Sequence, residues 1–346
     1  MDILKGIEGD YIETKDNLFF DVKGILHPKD RKICFIRFYP HSDGDRVKNK
    51  KRYKKIYDLK ERYEFLKKEY PKYLFFSQQL DLELQGVKSE DIKKIYEPRE
   101  YFKKISGKTN LSVIEKCSKE LCELFISKGE VPNNSIGITG SPMIGLSKDN
   151  SDIDLIIYGT DVSLKFQDRL KGILNLHGNC RKYNMQEFYS HYKWRVGGSD
   201  ISFDNFIQYE QRKLHQGIFK GFEFFIRYIK SPEHWQGSFY DYKYKNCGRI
   251  KLKAKIIDDR DSIFTPCSYM IKVIKILETD FPFSELKPDD ICEINSFRGR
   301  FCEQAKKGEQ VFVQGKLENV NFQDKKNYFR VLLNDQIQDK MLLSDI

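Results

Sequence analysis

Apolar and polar residues alternate over Tyr11–Thr14, Leu18–Val22 and Ile33–Tyr39, and this period of two predicts three short strands. Asp16-Asn17 and His27-Pro28-Lys29-Asp30 supply the turns around them. Leu59, Tyr63, Leu66 and Tyr70 instead fall on one stripe of a helix over Leu59–Tyr70, and Pro71 and Pro98 bound further short elements. A second helix covers Leu111–Lys128. Its stripe of Leu111, Ile114, Leu121, Leu124 and Phe125 belongs to the core rather than to a cofactor. Ile136-Gly137-Ile138-Thr139 reads as a strand, as does the run through Ile153, Leu155 and Ile157. Val162–Leu176 and Ser202–Gln216 have helical spacing, and Phe222–Ile229 returns to strand.

Beyond residue 236 the pattern is all-β. Ile250, Leu252, Ala254 and Ile256 share one face of a strand over Arg249–Ile257, with Arg249, Lys251, Lys253 and Lys255 on the other. Gln310–Leu317 and Tyr328–Leu333 alternate again, the second entered through a turn at Asp324-Lys325-Lys326-Asn327. Short strands and small-residue turns suit a small barrel, either of the oligonucleotide-binding kind or purely structural. Phe297-Arg298-Gly299-Arg300-Phe301 offers rings and guanidinium groups to bases under the first of these. Three regions follow: a basic N-terminal strand and helix module over 1–100, a central domain over 101–235, and an all-β domain over 236–346. The fold class is α+β, a mixed sheet with flanking helices, an N-terminal α/β module and a C-terminal β-barrel-like domain.

The central region carries the chemistry. With Ile153, Leu155 and Ile157 on one face, Asp152 and Asp154 share the other, about 6.6 Å apart along the strand. At an effective dielectric near 20 their repulsion is roughly 2.5 kcal/mol, which a hard divalent cation offsets through oxygen ligands. Asp149-Asn150-Ser151-Asp152-Ile153 is not a calcium loop, because Asp154 stands where such a loop needs glycine and Ile153 has no side-chain ligand. Gly140 and Ser141 follow the first strand and Gly145 ends the next turn. Pro142 suits the first position of a short helix, and backbone N–H groups at a strand-to-helix turn bind phosphate.

Gly140-Ser141, Gly145 and Ser151-Asp152-Ile153-Asp154-Leu155 together resemble the motif of the polymerase-beta-type nucleotidyltransferase superfamily, over roughly residues 110–230. More loosely, the whole chain is similar to archaeal predicted nucleotidyltransferases. The resemblance implies a nucleotidyltransferase-type sheet, Asp152 and Asp154 as metal ligands and catalytic residues, and Mg2+ or Mn2+ with a nucleoside triphosphate as substrate. It also implies phosphate contacts from Gly140, Ser141, Gly145 and Ser151. A third carboxylate is expected from the neighbouring strand, where Glu223, Phe225, Arg227 and Ile229 share a face. Glu223 is the candidate, with Asp200, Asp204 and the Asp258-Asp259 pair as substitutes; Phe225 and Arg227 stand where an acid is familiar. Arg227 offsets pyrophosphate charge or pairs with a nearby acid. Lys148 touches the triphosphate or is a solvated turn residue.

Charge adds a partner. The chain of 346 residues has 61 Lys and Arg against 51 acids, a net charge of +10. Arg46, Lys48, Lys50, Lys51, Arg52, Lys54 and Lys55 place seven cations in ten residues, interleaved with Tyr53 and followed by Tyr57. Such a run neutralises RNA phosphates and offers stacking rings, or is a solvated surface loop. The eight cysteines show no Cys-x-x-Cys and read as buried free thiols; the six histidines, His177 among them, make no zinc pattern. No apolar run spans a membrane, and the start lacks a signal sequence, so a cytoplasmic location is expected. Three functions stay open: nucleotide transfer to a hydroxyl acceptor with RNA leading, a nucleic-acid-binding scaffold whose catalysis has lapsed, and nucleotide transfer to a protein or small molecule.

Overall fold

The computed structural model describes residues 5–176 and 178–344. The start of the chain, read above for a signal sequence, and His177 lie outside them. In chain order the elements are β1 (Tyr11–Thr14), β2 (Phe19–Val22), β3 (Arg31–Pro40), β4 (Arg46–Lys48), β5 (Lys51–Lys55), α1 (Leu59–Glu69), β6 (Leu74–Ser77), β7 (Leu82–Lys88), β8 (Ile92–Tyr96), α2 (Pro98–Ser106), α3 (Val113–Gly129), β9 (Ile136–Thr139), β10 (Ile153–Tyr158), α4 (Thr160–Leu176) and β11 (Cys180–Arg181). There follow α5 (Met185–Val196), α6 (Phe203–Glu210), β12 (Gln216–Phe219), β13 (Phe222–Ile229), β14 (Tyr242–Asp258), β15 (Cys267–Thr279), β16 (Ile291–Ser296), β17 (Gln310–Phe322), β18 (Lys326–Leu332) and β19 (Lys340–Leu343). The fold is mixed α+β with several sheets. No described helix is long and apolar enough to cross a membrane. All eight cysteines are free thiols, buried apart from the half-buried Cys292.

The contacts divide differently from the three expected regions. One compact unit takes residues 1–77, 82–181 and 216–239, and the other takes 78–81, 182–215 and 240–346. The N-terminal module is therefore one body with the central sheet, and α5 and α6 belong with the C-terminal strands.

Within the first unit, β11-β12-β13-β10-β9 form a five-stranded sheet in which β10 and β13 run parallel and the other pairs antiparallel. Ile153, Leu155 and Ile157 of β10 are fully buried. On this face Phe125 of α3 packs against Phe166 of α4 at 4.9 Å and Phe224 of β13 at 6.2 Å. Helix α3 starts where the sequence allows it to: Ser112 and Glu115 form a reciprocal capping box, which satisfies two backbone donors. The opposite face, expected to be polar, is not left to solvent. Ile156 there is fully buried, and Gly9 lies so close that a methyl group on it would be 2.2 Å from Ile156 Cδ1. The chain before β1 thus lies across this face, and the eight-stranded N-terminal sheet, ordered β4-β5-β3-β2-β1-β8 with β7 on β3 and β6 on β7, follows it.

Helix α6 stops at Glu210, short of the expected Gln216, because Gln216–Phe219 pairs with β13 as a strand whose four residues are all buried. In the second unit, β14 pairs with both β15 and β17, and the circuit β14-β15-β16-β18-β17 closes, with β16 and β18 parallel and β19 added to β17. Its interior is the expected row of Ile250, Leu252, Ala254 and Ile256, joined by Val311, Val313 and Val331.

Candidate functional site

Asp154 lies on β10 opposite Thr139 of β9 and Phe225 of β13, and Asp152 stands exposed just before the strand. Gly140 turns over Asp154 with φ +78°, and a methyl group there would lie 2.5 Å from Asp154 Oδ2. Only glycine combines this backbone with this approach. The stretch after it is a chain of turns rather than the expected helix at Pro142: Leu146 N–H donates to Ser141 C=O at 2.9 Å and Gly145 N–H to Pro142 C=O at 3.1 Å. A phosphate placed here would meet backbone N–H groups without a helix dipole. Ser151 Oγ accepts from Lys148 N–H at 2.8 Å and lies 3.3 Å from Ser141 Oγ, tying the two ends of the motif together. Lys148 pairs with Asp45, so the expected phosphate cation is engaged in an ion pair at a half-exposed position.

The turn is held from below by the N-terminal sheet. Met143, Ile144 and Leu146 are buried among Tyr11, Phe19, Phe38 and Tyr53. Lys48 Nζ donates to Ile144 C=O at 2.7 Å and Arg46 Nη1 to Leu146 C=O. This corrects the reading of the seven-cation run. It is neither a loop nor wholly a surface for RNA: it is the β4–β5 hairpin, with Arg46 buried, Lys48 and Lys55 half-buried and Lys50, Lys51, Arg52 and Lys54 outward. Burial pulls the Lys48 ammonium down to about 8 against the opposing pull of Glu13.

An open cleft lies between the motif and this sheet. Gly140, Ser141, Ser151, Asp152 and Asp154 line one side, and Tyr11, Arg37, Arg46, Lys55 and Tyr57 another, with Lys148 at the edge. Arg37 escaped the sequence reading, which saw only a polar position in the β3 pattern. Lys55 was seen, but with the wrong surroundings. Burial, with Arg37 and Arg46 beside it, pulls the Lys55 ammonium down to about 8, against the carboxylates of Asp154 and Asp152.

Three candidates fall outside the cleft lining: Gly145, exposed within the chain of turns, Glu223 and Arg227. Glu223 is an exposed residue on β13, opposite Ile218. Arg227 donates to Glu8 Oε1 at 3.0 Å and lies 3.6 Å from Asp21 Oδ1, so of its two expected roles the structure takes the pairing with acids. Burial pushes Asp21 up, but Lys23, Arg227 and Arg37 outweigh it and hold the carboxylate below its usual range. The substitutes Asp200, Asp204, Asp258 and Asp259 belong to the second unit, where Asp200 pairs with Lys340 and Asp258 accepts from Arg260 N–H at 2.9 Å. Among the described residues no group of three or more His, Cys, Asp or Glu gathers as a metal site. The donor set of Asp152 and Asp154 fits one magnesium or manganese ion that keeps water and phosphate oxygens for its other positions. It does not by itself fit a second.

In the second unit the side chains of Arg298, Arg300 and Phe301 are taken up within the chain, while Phe297 is exposed. Phe301 is buried, and Arg300 donates to Gln336 C=O at 2.8 Å and Asp339 C=O at 3.0 Å. Arg298 donates to Asn334 C=O at 3.0 Å.

No family model matches the chain, and no solved structure matches it. An uncharacterized protein of Methanocaldococcus jannaschii is 28% identical over 335 residues, spanning 94% of this chain and 94% of that protein, so the likeness runs through nearly the whole of both.

Proposed function

We propose that the protein transfers a nucleoside monophosphate from a nucleoside triphosphate to a hydroxyl acceptor, with Mg2+ or Mn2+, on a nucleotidyltransferase-type sheet. The observation that carries this reading is Gly140 folded directly over Asp154, which sets backbone phosphate donors against a carboxylate pair. The Gly140-Ser141 turn binds phosphate oxygens through N–H groups and the Ser141 hydroxyl. Asp152 and Asp154 would hold the ion, and the chemistry it would supply is neutralisation of negative charge on phosphate oxygens. The acceptor oxygen bonds to the α-phosphorus in line as the bond to the bridging oxygen breaks. The hydroxyl proton passes to water and pyrophosphate leaves. The chain contributes position and charge, and no histidine base is required.

RNA is the favoured acceptor. Lys50, Lys51, Arg52 and Lys54 project from the hairpin. On the barrel, Lys253 stands opposite Lys275 and Lys255 opposite Lys272, like-charge pairs that destabilise a sheet unless an anion covers them. The closed strand circuit is of a kind that binds oligonucleotides. Arg227, standing paired where a third acid is familiar, favours a second reading: a nucleic-acid-binding protein whose catalysis has lapsed. Pyrophosphate release from each triphosphate in the presence of RNA separates the two. Transfer predicts release that Asp152→Ala and Asp154→Ala abolish; RNA binding without release in the unaltered protein overturns it.

A further inference from the structure

Resting on that reading, we infer that Arg37 of β3 and Lys55 of β5 form the receptor for the β- and γ-phosphates, the part of the substrate that departs as pyrophosphate. The inference begins with how cations are distributed. Arg37, Arg46, Lys55 and Lys148 line the cleft against two carboxylates, Asp152 and Asp154. Two of the four are already engaged, Arg46 on the Leu146 carbonyl and Lys148 on Asp45. The side chains of Arg37 and Lys55 have no hydrogen bond or ion pair among the described residues, and Arg37 Nε is a buried donor without a partner.

A chain keeps an unpaired cation at a half-buried position when something else supplies the anion. The two side chains come from adjacent strands. Lys55 is in register with Phe38, and Ile56 N–H donates to Arg37 C=O at 2.9 Å, so the sheet itself sets their spacing. Arg37 feels the fields of Tyr11 and Asp21 and, more weakly, of Asp154, and Lys55 feels those of Asp154 and Asp152, but none of these groups forms a hydrogen bond or ion pair with either side chain. The anion that would span from a divalent ion, which Asp152 and Asp154 would hold, to this pair of cations is a polyphosphate. A guanidinium fork grips two phosphate oxygens at once, and an ammonium adds a point charge. As the bond between α-phosphorus and bridging oxygen breaks, its electron pair moves onto the pyrophosphate. Arg37 and Lys55 meet that charge where it grows. Lys55 Nζ also lies 4.6 Å from the ring centroid of Tyr57, whose exposed face stands at the mouth of the cleft.

Calorimetric titration of inorganic pyrophosphate and tripolyphosphate into the full chain, in magnesium buffer without nucleotide or acceptor, tests this. Arg37→Gln and Lys55→Gln are each expected to weaken binding about tenfold or more, one step of 1.4 kcal/mol per decade. Arg37→Lys should recover part of the loss, since charge returns without the fork, and Lys60→Gln on α1, an exposed residue paired with Glu64, should change nothing. Unchanged affinity in both Arg37→Gln and Lys55→Gln, or no pyrophosphate binding by the unaltered protein, overturns the inference. Should Arg37→Gln fail to fold, Arg37→Lys and Lys55→Gln still decide it. The outcomes also separate the two claims: normal transfer with unaltered pyrophosphate affinity in the variants defeats only the receptor. Pyrophosphate binding that the variants weaken, with no transfer to any acceptor, defeats only the enzyme.

Discussion

In the second unit Glu210 accepts from Lys213 at 2.8 Å and lies 3.1 Å from His191, while Lys213 also donates to the Arg300 carbonyl at 2.6 Å. In the first unit Arg37 and Lys55 face Asp154 across an open cleft with no direct partner. Both clusters draw charges out of water. In one, each charge is answered by a neighbour in the same chain, and the group is finished as a piece of structure. In the other, Asp21 and Asp154 act on Arg37, and Asp154 and Asp152 on Lys55, through their fields without a hydrogen bond or ion pair, which leaves both side chains as donors for the anion proposed in the cleft. Counting buried charged residues does not tell the two apart; tracing their partners does.

The largest effect should come from the unfinished cluster. Asp154→Ala is expected to reduce transfer by on the order of 10³-fold or more, about 4 kcal/mol, with little change in the thermal melt of metal-free protein. If transfer survives, the carboxylate pair is not the metal site. Glu210→Gln addresses the finished cluster. It leaves Lys213 buried beside a neutral amide and should cost about 3 kcal/mol of stability, read by urea denaturation, with pyrophosphate binding unchanged. Burial pushes Glu210 up, but Lys213 and the His191 hydrogen bond more than compensate and hold its carboxyl below the usual range. Its contribution is therefore present above the unfolded value near 4.5 and is lost as pH falls below it.

Gly140→Ala tests the close approach at the motif. A side chain at φ +78° beside Asp154 should cost about 1–2 kcal/mol and displace the carboxylate, so transfer should fall further than stability does. The smallest effect is a slope with pH. Lys55, lowered from 10.5 to about 8 by burial, binds its proton less readily folded than unfolded. Ligand-free stability should therefore gain from this residue as pH rises from about 8 to 10.5, and Lys55→Met should flatten that gain in thermal melts. Pyrophosphate should shrink it as well, by holding the ammonium charged.

The motif was legible because its parts are local. The strand of Ile153, Leu155 and Ile157, the alternating aspartates and the Gly140-Ser141 turn all lie within eighteen residues. The other side of the cleft was not, because it is made by distant pairing: Lys48 reaches Ile144 across 96 positions, and Lys55 meets Phe38 only through strand register. A basic run looks the same in sequence whether its side chains hold a turn, line a cleft or meet solvent. Strand β15 escaped notice because shifts in its register against β14 break the period after Val273. Helix α5 escaped because its buried positions, Phe188, His191 and Val196, make too thin an apolar stripe. The partners of Arg298 and Arg300 were equally hidden: carbonyls more than thirty residues away take up both guanidinium groups.

The most direct measurement is incorporation of label from each α-labelled triphosphate, with magnesium or manganese, into total cellular RNA, by the unaltered protein and by Asp154→Ala. Labelled RNA that disappears in the variant is the predicted result, and it names the nucleotide. Label on a protein or small molecule would keep the chemistry and replace the acceptor. No label on any acceptor, alongside tight and salt-sensitive RNA binding, would contradict the account.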